Sequence, residues 1–403
     1  MTRFAIAGAA KFDRRSLLRH AAGWTAWLAR PSSGATSKQF LVYLGTYTSS
    51  DPRYGGTGGS KGIYASHFDS GTGSFSKPEL AVETKDPSYL VIHPTRRFLY
   101  AVNEEPDQNM GHVSAFSIDR SSGRLTFLNQ VSSKGGMPCH INTDQTGKVV
   151  AVANWSTGST VTFPVRPDGR LEEAAGFYQH AGERSGVPPG GEPVQVHCHS
   201  VNVSADNRYL IATDTGLNKV FVHRLDAGKA TFTPHQPPFL GLQHQANPRQ
   251  LAFHPNGKWA YVVNESGPGC TMLNYDARRG VFEEGPTART VPENHTGRVT
   301  PAEIGMHPTG RFVYVSNRGH DSIAAMKIDA ANGNLSLVEV FQPGGSGPRS
   351  FKIDPTGAFL LALMQRSSFM IPLRIDRETG KLSPAGDQIA VPAPVCAKFL
   401  ELS

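Results

Sequence analysis

The chain has 403 residues, 38 % of them hydrophobic and 18 % charged, and a formal net charge of +7. This length suits one large all-β domain or two to three smaller domains. Residues 1–38 contain seven basic side chains and one acid, so +6 of the charge lies there and about +1 remains for the rest. The body of the chain therefore lacks the basic excess that binds nucleic acid, and we expect no nucleic-acid partner.

The first 38 residues have the pattern of a targeting segment. The run Asp-Arg-Arg-Ser-Leu-Leu-Arg at 13–19 resembles a twin-arginine export signal, and a short apolar stretch at 21–29 follows it. That stretch is too short to span a bilayer, so no stable membrane anchor is expected. We predict that residues 1–38 form a twin-arginine-type signal or a disordered leader. The protein would then be periplasmic or secreted, and cytoplasmic if the leader does not function.

A β-hairpin pattern recurs six times along the rest of the chain. In its clearest copy, an alternating apolar strand at 302–306 leads through His-Pro-Thr-Gly at 307–310 into a second strand at 312–315. Proline at the second position and glycine at the fourth suit a type I turn. The corresponding turn residues are 47 to 60 residues apart: Arg96, Gly147, Asn207, Gly257, Gly310 and Gly357. A strand-only repeat of about 50 residues is typical of β-propeller blades.

The two ends of this region supply strands that the six hairpins leave unmatched. Residues 40–47 match a second strand without its first, and residues 394–401 match a first strand without its second. We therefore predict an all-β fold for residues 39–403: a seven-bladed β-propeller with four-stranded antiparallel blades, its ring closed by the N- and C-terminal strands in one blade. Two separate β domains would need a linker, and the best candidate, 183–193, is better explained as an insertion in the repeat.

Topology predicts which end of the central channel carries the chemistry. The first strand of each blade lines the channel, so the start of that strand and the end of the second strand lie on the same face. This end is rich in groups that bind anions and move protons. The residues at these positions are His140, His197, His199, Arg249, Glu303 and Arg349 from first strands and Glu104, Asn154, Asp214, Asn264, Glu265, Asn317, Arg318 and Arg366 from second strands. The histidines of the His-Pro turns, His93, His254 and His307, fall on the opposite face, and we expect them to be structural.

The His-Cys-His sequence at 197–199 has more than one interpretation. Side chains two apart on a strand point the same way, so His197 and His199 would form half of a metal site. No third ligand follows at a suitable spacing, and we predict no metal and no cofactor. Proton transfer, substrate binding and structural hydrogen bonding all remain open for this pair.

Six short motifs on this channel face resemble those of a known family. They are Gly-Gly-Met-Pro-Cys-His at 135–140, His-Cys-His-Ser at 197–200, Asn-Pro-Arg at 247–249, Asn-Glu at 264–265, Ser-Asn-Arg-Gly-His-Asp-Ser-Ile at 316–323 and Gly-Pro-Arg at 347–349. Together they resemble the seven-bladed β-propeller lactonases, which include propeller-type 6-phosphogluconolactonases and the fungal carboxy-cis,cis-muconate cyclases. The resemblance covers roughly residues 40–402, and its most specific motif is the run at 316–323.

The resemblance implies a set of site residues. In the cyclase branch a histidine, two arginines and a glutamate act on a lactone carboxylate, which implies roles for Arg249, Arg318, Glu265 and either His199 or His197. As a hypothesis for hydrolysis, the two arginines hold the anionic group and polarise the carbonyl, while a histidine or Glu265 takes a proton from water. The remaining candidates are assigned to substrate binding: His140, Arg349, Asn317, Asn264 and Glu104. No Ser-His-Asp order or G-x-S-x-G motif indicates a covalent serine route.

Three functions follow from this interpretation. The first is a lactonase that hydrolyses a sugar-acid lactone, similar to a 6-phosphogluconolactonase, with a small-molecule lactone as its partner and a monomeric state. The second is a cycloisomerase that acts on a muconate-type lactone with the same residue types. The third is a propeller without enzymatic activity that binds a ligand or a protein through its channel face.

Overall fold

Thirty strands run through the described part of the chain, which comprises residues 37–50, 59–105, 111–186, 194–243, 246–267 and 269–402 of a computed structural model. The twin-arginine motif at 13–19 lies outside these residues. Within them the structure contains no helix, and so none long and apolar enough to cross a membrane.

The strands, numbered in chain order, fall into seven blades among the described residues. The strands before the first repeated hairpin are β1 (Gln39–Thr46), β2 (Gly62–Asp69), β3 (Ser74–Phe75) and β4 (Glu79–Glu83). Blades 1 and 2 consist of β5 (Leu90–Ile92), β6 (Phe98–Asn103), β7 (His112–Ile118), β8 (Leu125–Ser132), β9 (Pro138–Thr143), β10 (Val149–Asn154), β11 (Ser159–Pro164) and β12 (Gly176–Gln179). Blades 3 and 4 consist of β13 (Cys198–Val203), β14 (Tyr209–Asp214), β15 (Lys219–Asp226), β16 (Thr231–Gly241), β17 (Pro248–Phe253), β18 (Trp259–Asn264), β19 (Gly269–Asp276) and β20 (Val281–Arg289). Blades 5 and 6 consist of β21 (Thr300–Met306), β22 (Phe312–Arg318), β23 (Ser322–Ile328), β24 (Leu335–Phe341), β25 (Pro348–Ile353), β26 (Phe359–Met364), β27 (Phe369–Ile375), β28 (Leu382–Pro384) and β29 (Ile389–Ala390). The last strand is β30 (Pro394–Leu402).

Sheet topology confirms the predicted propeller. In blades 1 to 6 the strands pair antiparallel in chain order, and the first strand of each blade lies innermost, beside the first strand of the next blade. In blade 7, β30 is innermost and pairs antiparallel with β1, so Leu44 faces Ala397, and β2 to β4 complete the sheet. The ring is therefore closed by strands from both ends of the chain, as predicted.

The repeated turns adopt the backbone conformation that their residues favour. Each of the six predicted turn residues has a positive φ, from 59° at Asn207 to 74° at Gly147. The histidines of the three His-Pro turns each form a hydrogen bond from Nε2 to the turn carbonyl of the next blade. The imidazole is the donor, because a carbonyl oxygen can only accept. One example joins His307 to Gly357 at 2.9 Å. These histidines connect the blades on the face opposite the predicted site.

The hydrophobic core lies between the blades. Second-strand residues alternate between two neighbours: Phe312 and Tyr314 pack against blade 6, whereas Val313 and Val315 pack against blade 4. A strand that is buried on both faces is apolar throughout, which explains the continuous hydrophobic runs in the sequence. The channel, in contrast, is left for polar side chains of the inner strands.

Candidate active site

A β-bulge interrupts the inner strand of blades 2 to 7 at the channel end where the sequence predicts the site. In β17, for example, Pro248 pairs with Asn264 and Gln250 with Val263, so the ladder skips Arg249. A bulge leaves the extra residue unpaired and redirects its side chain. The residues at these bulges that line one small cavity are Cys139, His199, Arg249, Glu303, Arg349 and Val395. The same backbone irregularity thus delivers side chains from six blades to one point.

Three arginines, Arg249, Arg318 and Arg349, and the carboxylate of Glu265 form a charged cluster at this channel end. Oε1 of Glu265 lies 2.7 Å from Nη2 of Arg318 and 3.3 Å from Nε of Arg249. Arg249 also donates from Nη1 to the carbonyl of Ala302, while its buried Nε has no well-aligned hydrogen-bond acceptor among the described residues. Burial alone would raise the pKa of Glu265, but the charges of Arg249 and Arg318 override it and hold that pKa below its ordinary value.

The crowding of positive charge also affects the arginines themselves. Burial, followed by the charges of Arg249 and Arg349, lowers the pKa of Arg318 to about 9. That value is above neutral pH, so Arg318 stays charged there, and the other two guanidiniums do so as arginines generally do. Glu265 pairs with Arg318 and Arg249, and a second carboxylate, Glu104, lies 3.9 Å from Arg349. Guanidinium N–H groups in a cavity of this kind suit a carboxylate, phosphate or carbonyl oxygen of a substrate.

His199 is a neutral imidazole beside these guanidiniums. Its side chain is buried, and its Nδ1 lies 3.8 Å from Sγ of Cys139. Burial first, and then the charges of Arg249 and Arg349, lower the pKa of His199 well below its ordinary value. An unprotonated imidazole at neutral pH is able to accept a proton.

Glu104 occupies the opposite wall of the cavity. It directly follows β6, the second strand of blade 1, accepts a hydrogen bond of 2.9 Å from the hydroxyl of Tyr47, and lies 3.9 Å from Nη2 of Arg349. Burial raises the pKa of this carboxyl, and the charge of Arg349 offsets only part of that effect. Arg349 also stacks over the ring of Tyr47 at 5.3 Å, which fixes the orientation of its guanidinium.

Comparison with known proteins agrees with the predicted family and fold. The family model described as "Lactonase, 7-bladed beta-propeller" matches residues 41–399. The chain belongs to this lactonase family. It is 34% identical to a 6-phosphogluconolactonase of Bacillus subtilis (strain 168), over 90% of this chain and 99% of the relative. It is also 32% identical to a 6-phosphogluconolactonase of Formosa agariphila, over 87% and 96% of the two chains.

Solved structures place it in the same group. The periplasmic gluconolactonase of Pseudomonas aeruginosa superimposes with a TM-score of 0.81 at 30% identity, over 90% of this chain and 99% of that one. The protein is therefore a lactonase-type hydrolase with a small-molecule lactone substrate.

Several predicted site residues of the lactonase lie outside the charged cluster. His197 precedes β13 and stacks on Trp155, with 4.1 Å between the ring centroids. His140 faces a deeper cavity of the channel. The amides of Asn264 and Asn317 point along their own blades, where they bond Thr271 and Thr290 respectively. The structure therefore brings together His199, Arg249, Glu265, Arg318, Arg349 and Glu104.

Other residues of the lactonase cavity were not among the predicted site residues. Tyr47 reaches it from the end of β1, just past the apolar run that predicted the strand. Glu303 lines it beside Arg249, and its Oε2 accepts a hydrogen bond of 3.0 Å from Ser350. Its place at the channel end of an inner strand had put Glu303 among the predicted channel-face residues, although the family resemblance assigned it no role. No sequence signal pointed to Tyr47 as a site residue, because an aromatic residue at a strand end is most often part of the core.

Proposed function

We propose that this protein hydrolyses a sugar-acid lactone at the charged cluster, with water as the nucleophile. The observation that carries the proposal is the convergence of Arg249, Arg318 and Arg349 beside the neutral imidazole of His199. The relatives named 6-phosphogluconolactonase and gluconolactonase support a lactone of this chemical class.

The arginines have two tasks in this proposal. They hold the anionic part of the substrate, and they donate to the carbonyl oxygen as it becomes an oxyanion. Such preorganised donors contribute more than any other feature of a site of this type. The Nε of Arg249 is a buried donor without a well-aligned acceptor among the described residues, so a substrate oxygen would supply what the protein does not.

His199 takes the proton of the attacking water. The water oxygen bonds to the lactone carbonyl carbon, the ring C–O bond breaks, and the ring oxygen leaves as a hydroxyl after taking a proton back. The carboxylic acid formed by the attack ionises and releases one proton to solvent, so the products are a carboxylate and an alcohol on one open chain. Glu265 has a lowered pKa and two arginine partners, so its role is to position Arg249 and Arg318 rather than to accept the proton.

Substrate charge makes His199 a better base. Burial first, and then the charges of Arg249 and Arg349, lower the pKa of His199. An anionic group bound to these arginines neutralises part of that charge and raises the pKa of the imidazole toward neutral pH, where general-base catalysis is most effective. This coupling favours a lactone that carries a phosphate or carboxylate over a neutral one.

We also propose that the protein is exported to the periplasm. The twin-arginine-type pattern at 13–19 and the likeness to a periplasmic gluconolactonase support this location. Cell fractionation tests this location. It compares cells that express the full chain with cells that express the double variant Arg14→Lys, Arg15→Lys. Export should be lost in the double variant, and a periplasmic fraction equal in both would refute the proposal.

The activity test is lactone hydrolysis followed by pH-stat with the full chain. The substrates are 6-phosphogluconolactone and gluconolactone, each measured above its spontaneous hydrolysis rate. Arg318→Gln should reduce kcat/KM by about 100-fold. The matched control is Arg311→Gln, because Arg311 is exposed at the turn end of β22, where it pairs with Glu378 and donates to the carbonyls of Arg377 and Glu378.

The outcomes separate the alternatives. A larger kcat/KM for 6-phosphogluconolactone than for gluconolactone supports an anionic substrate. The reverse order indicates a neutral substrate. Folded protein that accelerates neither reaction would refute the proposed function. An equal loss of activity in Arg311→Gln and Arg318→Gln would remove the arginine cluster from the mechanism.

A further inference from the structure

The channel contains a second cavity that the proposed reaction does not use. It has a volume of about 490 Å³ and opens toward the turn face, where Pro308 and Pro355 contribute to its wall. Tyr89, Gln250 and Glu303 line both cavities and so form the layer between them. We call this second cavity, on the turn side of the layer, the lower cavity.

Two lysines from adjacent inner strands face the lower cavity: Lys352 of β25 and Lys398 of β30. Neither ammonium lies within 4 Å of a carboxylate among the described residues, and Nζ of Lys398 instead lies 4.4 Å from the centroid of the Tyr89 ring. The channel walls desolvate Lys352, and together with the charge of Lys398 they lower its pKa to about 8. Two unpaired cations on one small cavity repel each other, and a bound anion would relieve that repulsion.

The two carboxylates that line the lower cavity already accept hydrogen bonds from protein groups. Glu303 accepts hydrogen bonds from the hydroxyl of Ser350 at 3.0 Å and from the backbone of Ile304 at 3.2 Å. Asp354 accepts from the backbone of Phe359 at 2.7 Å and closes its own turn. Their charges moderate the local potential without pairing either lysine.

Uncharged donors complete the cavity wall. Nδ1 of His140 accepts a hydrogen bond of 3.2 Å from the backbone of Val201. Burial lowers the pKa of His140 well below its ordinary value, so the ring is neutral and its single proton is on Nε2. Asn142 and Asn202 also line the cavity, and their side-chain NH2 groups donate to Val201 and Ser200. His140 therefore offers an uncharged N–H donor on the same cavity as the two ammonium groups.

We propose that the lower cavity is a binding site for a small oxyanion, held by Lys352 and Lys398 with the help of His140. The shared chemistry is that of a phosphate or a carboxylate group on a small molecule. The site is independent of the proposed hydrolysis, because the layer of Tyr89, Gln250 and Glu303 separates it from the arginine cluster. It would therefore be occupied whether or not a lactone is bound above.

The test is isothermal titration calorimetry on the full chain at constant ionic strength. Inorganic phosphate and succinate are the two probes, and they distinguish the phosphate from the carboxylate source. Lys352→Met and Lys398→Met should each weaken binding of the preferred probe by about tenfold or more, since each removes a charge-assisted hydrogen bond. Lys327→Met is the matched control, because Lys327 lies exposed on β23.

Two further measurements keep the result unambiguous. The arginine cluster is itself proposed to bind an anionic group, so it can give a second, separate binding event with the same probe. Arg318→Gln should retain the binding event that Lys352→Met weakens, because Arg318 belongs to the upper cluster. Titration of the Lys352 side chain by NMR should show its apparent pKa rise when the preferred probe is present, a change that misfolding would not produce. Absence of binding by either probe to folded protein, unchanged affinity in both lysine variants, or loss of the lysine-dependent binding event in Arg318→Gln would each overturn the proposal.

Discussion

Glu265→Gln isolates the electrostatic role of the carboxylate that joins two arginines. The substitution keeps the size of the side chain and an acceptor oxygen but removes the charge. One oxygen of Glu265 lies 2.7 Å from Arg318 and 3.3 Å from Arg249, whose side chain is only 4% exposed. Breaking a fully buried pair costs about 3–5 kcal/mol, and breaking an exposed one costs about 0–1 kcal/mol. Glu265 is 25% exposed, and we expect a loss of about 2 kcal/mol, between these two limits.

The loss should depend on pH in one direction. The pKa of Glu265 is lower in the folded protein than its unfolded value of about 4.3. A carboxyl group with a depressed folded-state pKa contributes stability above its unfolded pKa, and that stability is lost as the pH falls through the folded-state value. The difference between wild type and variant should therefore be constant from pH 7 to pH 5 and shrink only below about pH 4.3.

Urea unfolding at a series of pH values measures both effects. The matched control is Glu378→Gln, because Glu378 is 82% exposed and pairs with Arg311 at the surface. This control should change the free energy of unfolding by less than about 1 kcal/mol. A Glu265→Gln effect no larger than the control's, or one that already shrinks between pH 7 and pH 5, would refute the electrostatic reasoning.

Three further outcomes follow from the structure. His199→Gln should lower kcat by about 100-fold or more, and His197→Gln by less than about tenfold, because only His199 lies beside the arginines. Equal losses in steady-state kinetics would contradict this assignment. Arg349→Met should raise KM for 6-phosphogluconolactone by about tenfold, since it removes a charged donor, whereas an unchanged KM would place the anion elsewhere. Gly357→Ala should lower the free energy of unfolding by about 2 kcal/mol and leave kcat/KM of the folded protein unchanged. The reason is that φ is +73° and the new Cβ would lie 2.7 Å from Nε2 of His307. Unchanged stability in thermal unfolding would contradict this prediction.

The fold could be predicted because its determinants are local and repeated. Blades 1 to 6 repeat the same turn, and Gly310 and Gly357 both adopt the positive φ that their position requires. The half-matched ends at β1 and β30 indicated how the ring closes, and they pair as expected. Repetition of this kind lets several weak local signals support one architecture.

The site was harder to predict because strand alternation fails where the site lies. Alternation places His197 and His199 on one face, but the bulge in β13 breaks it, and His197 packs on Trp155 instead. A bulge depends on pairing between strands and has no clear signal within one strand. The Asn-Glu motif shows a related ambiguity: Asn264 bonds Thr271 within its blade, whereas Glu265 reaches the arginines. Adjacent polar residues at a strand end had no feature that separated these roles.

The bulges also explain how one propeller combines a rigid frame with a polar site. Residues in the ladder are fixed by hydrogen bonds and by packing between blades, so substitutions there affect the whole ring. A bulge residue such as Arg249 or Arg349 is excluded from the ladder and has its side chain in the channel. A change at this position alters the chemistry of the cavity while the pairing on either side is kept. It follows that substrate preference in this fold should vary mainly with the bulge residues, and stability mainly with the turn and interface residues. Arg349→Met and Gly357→Ala test the two halves of this division, because they lie eight residues apart on the same hairpin of blade 6.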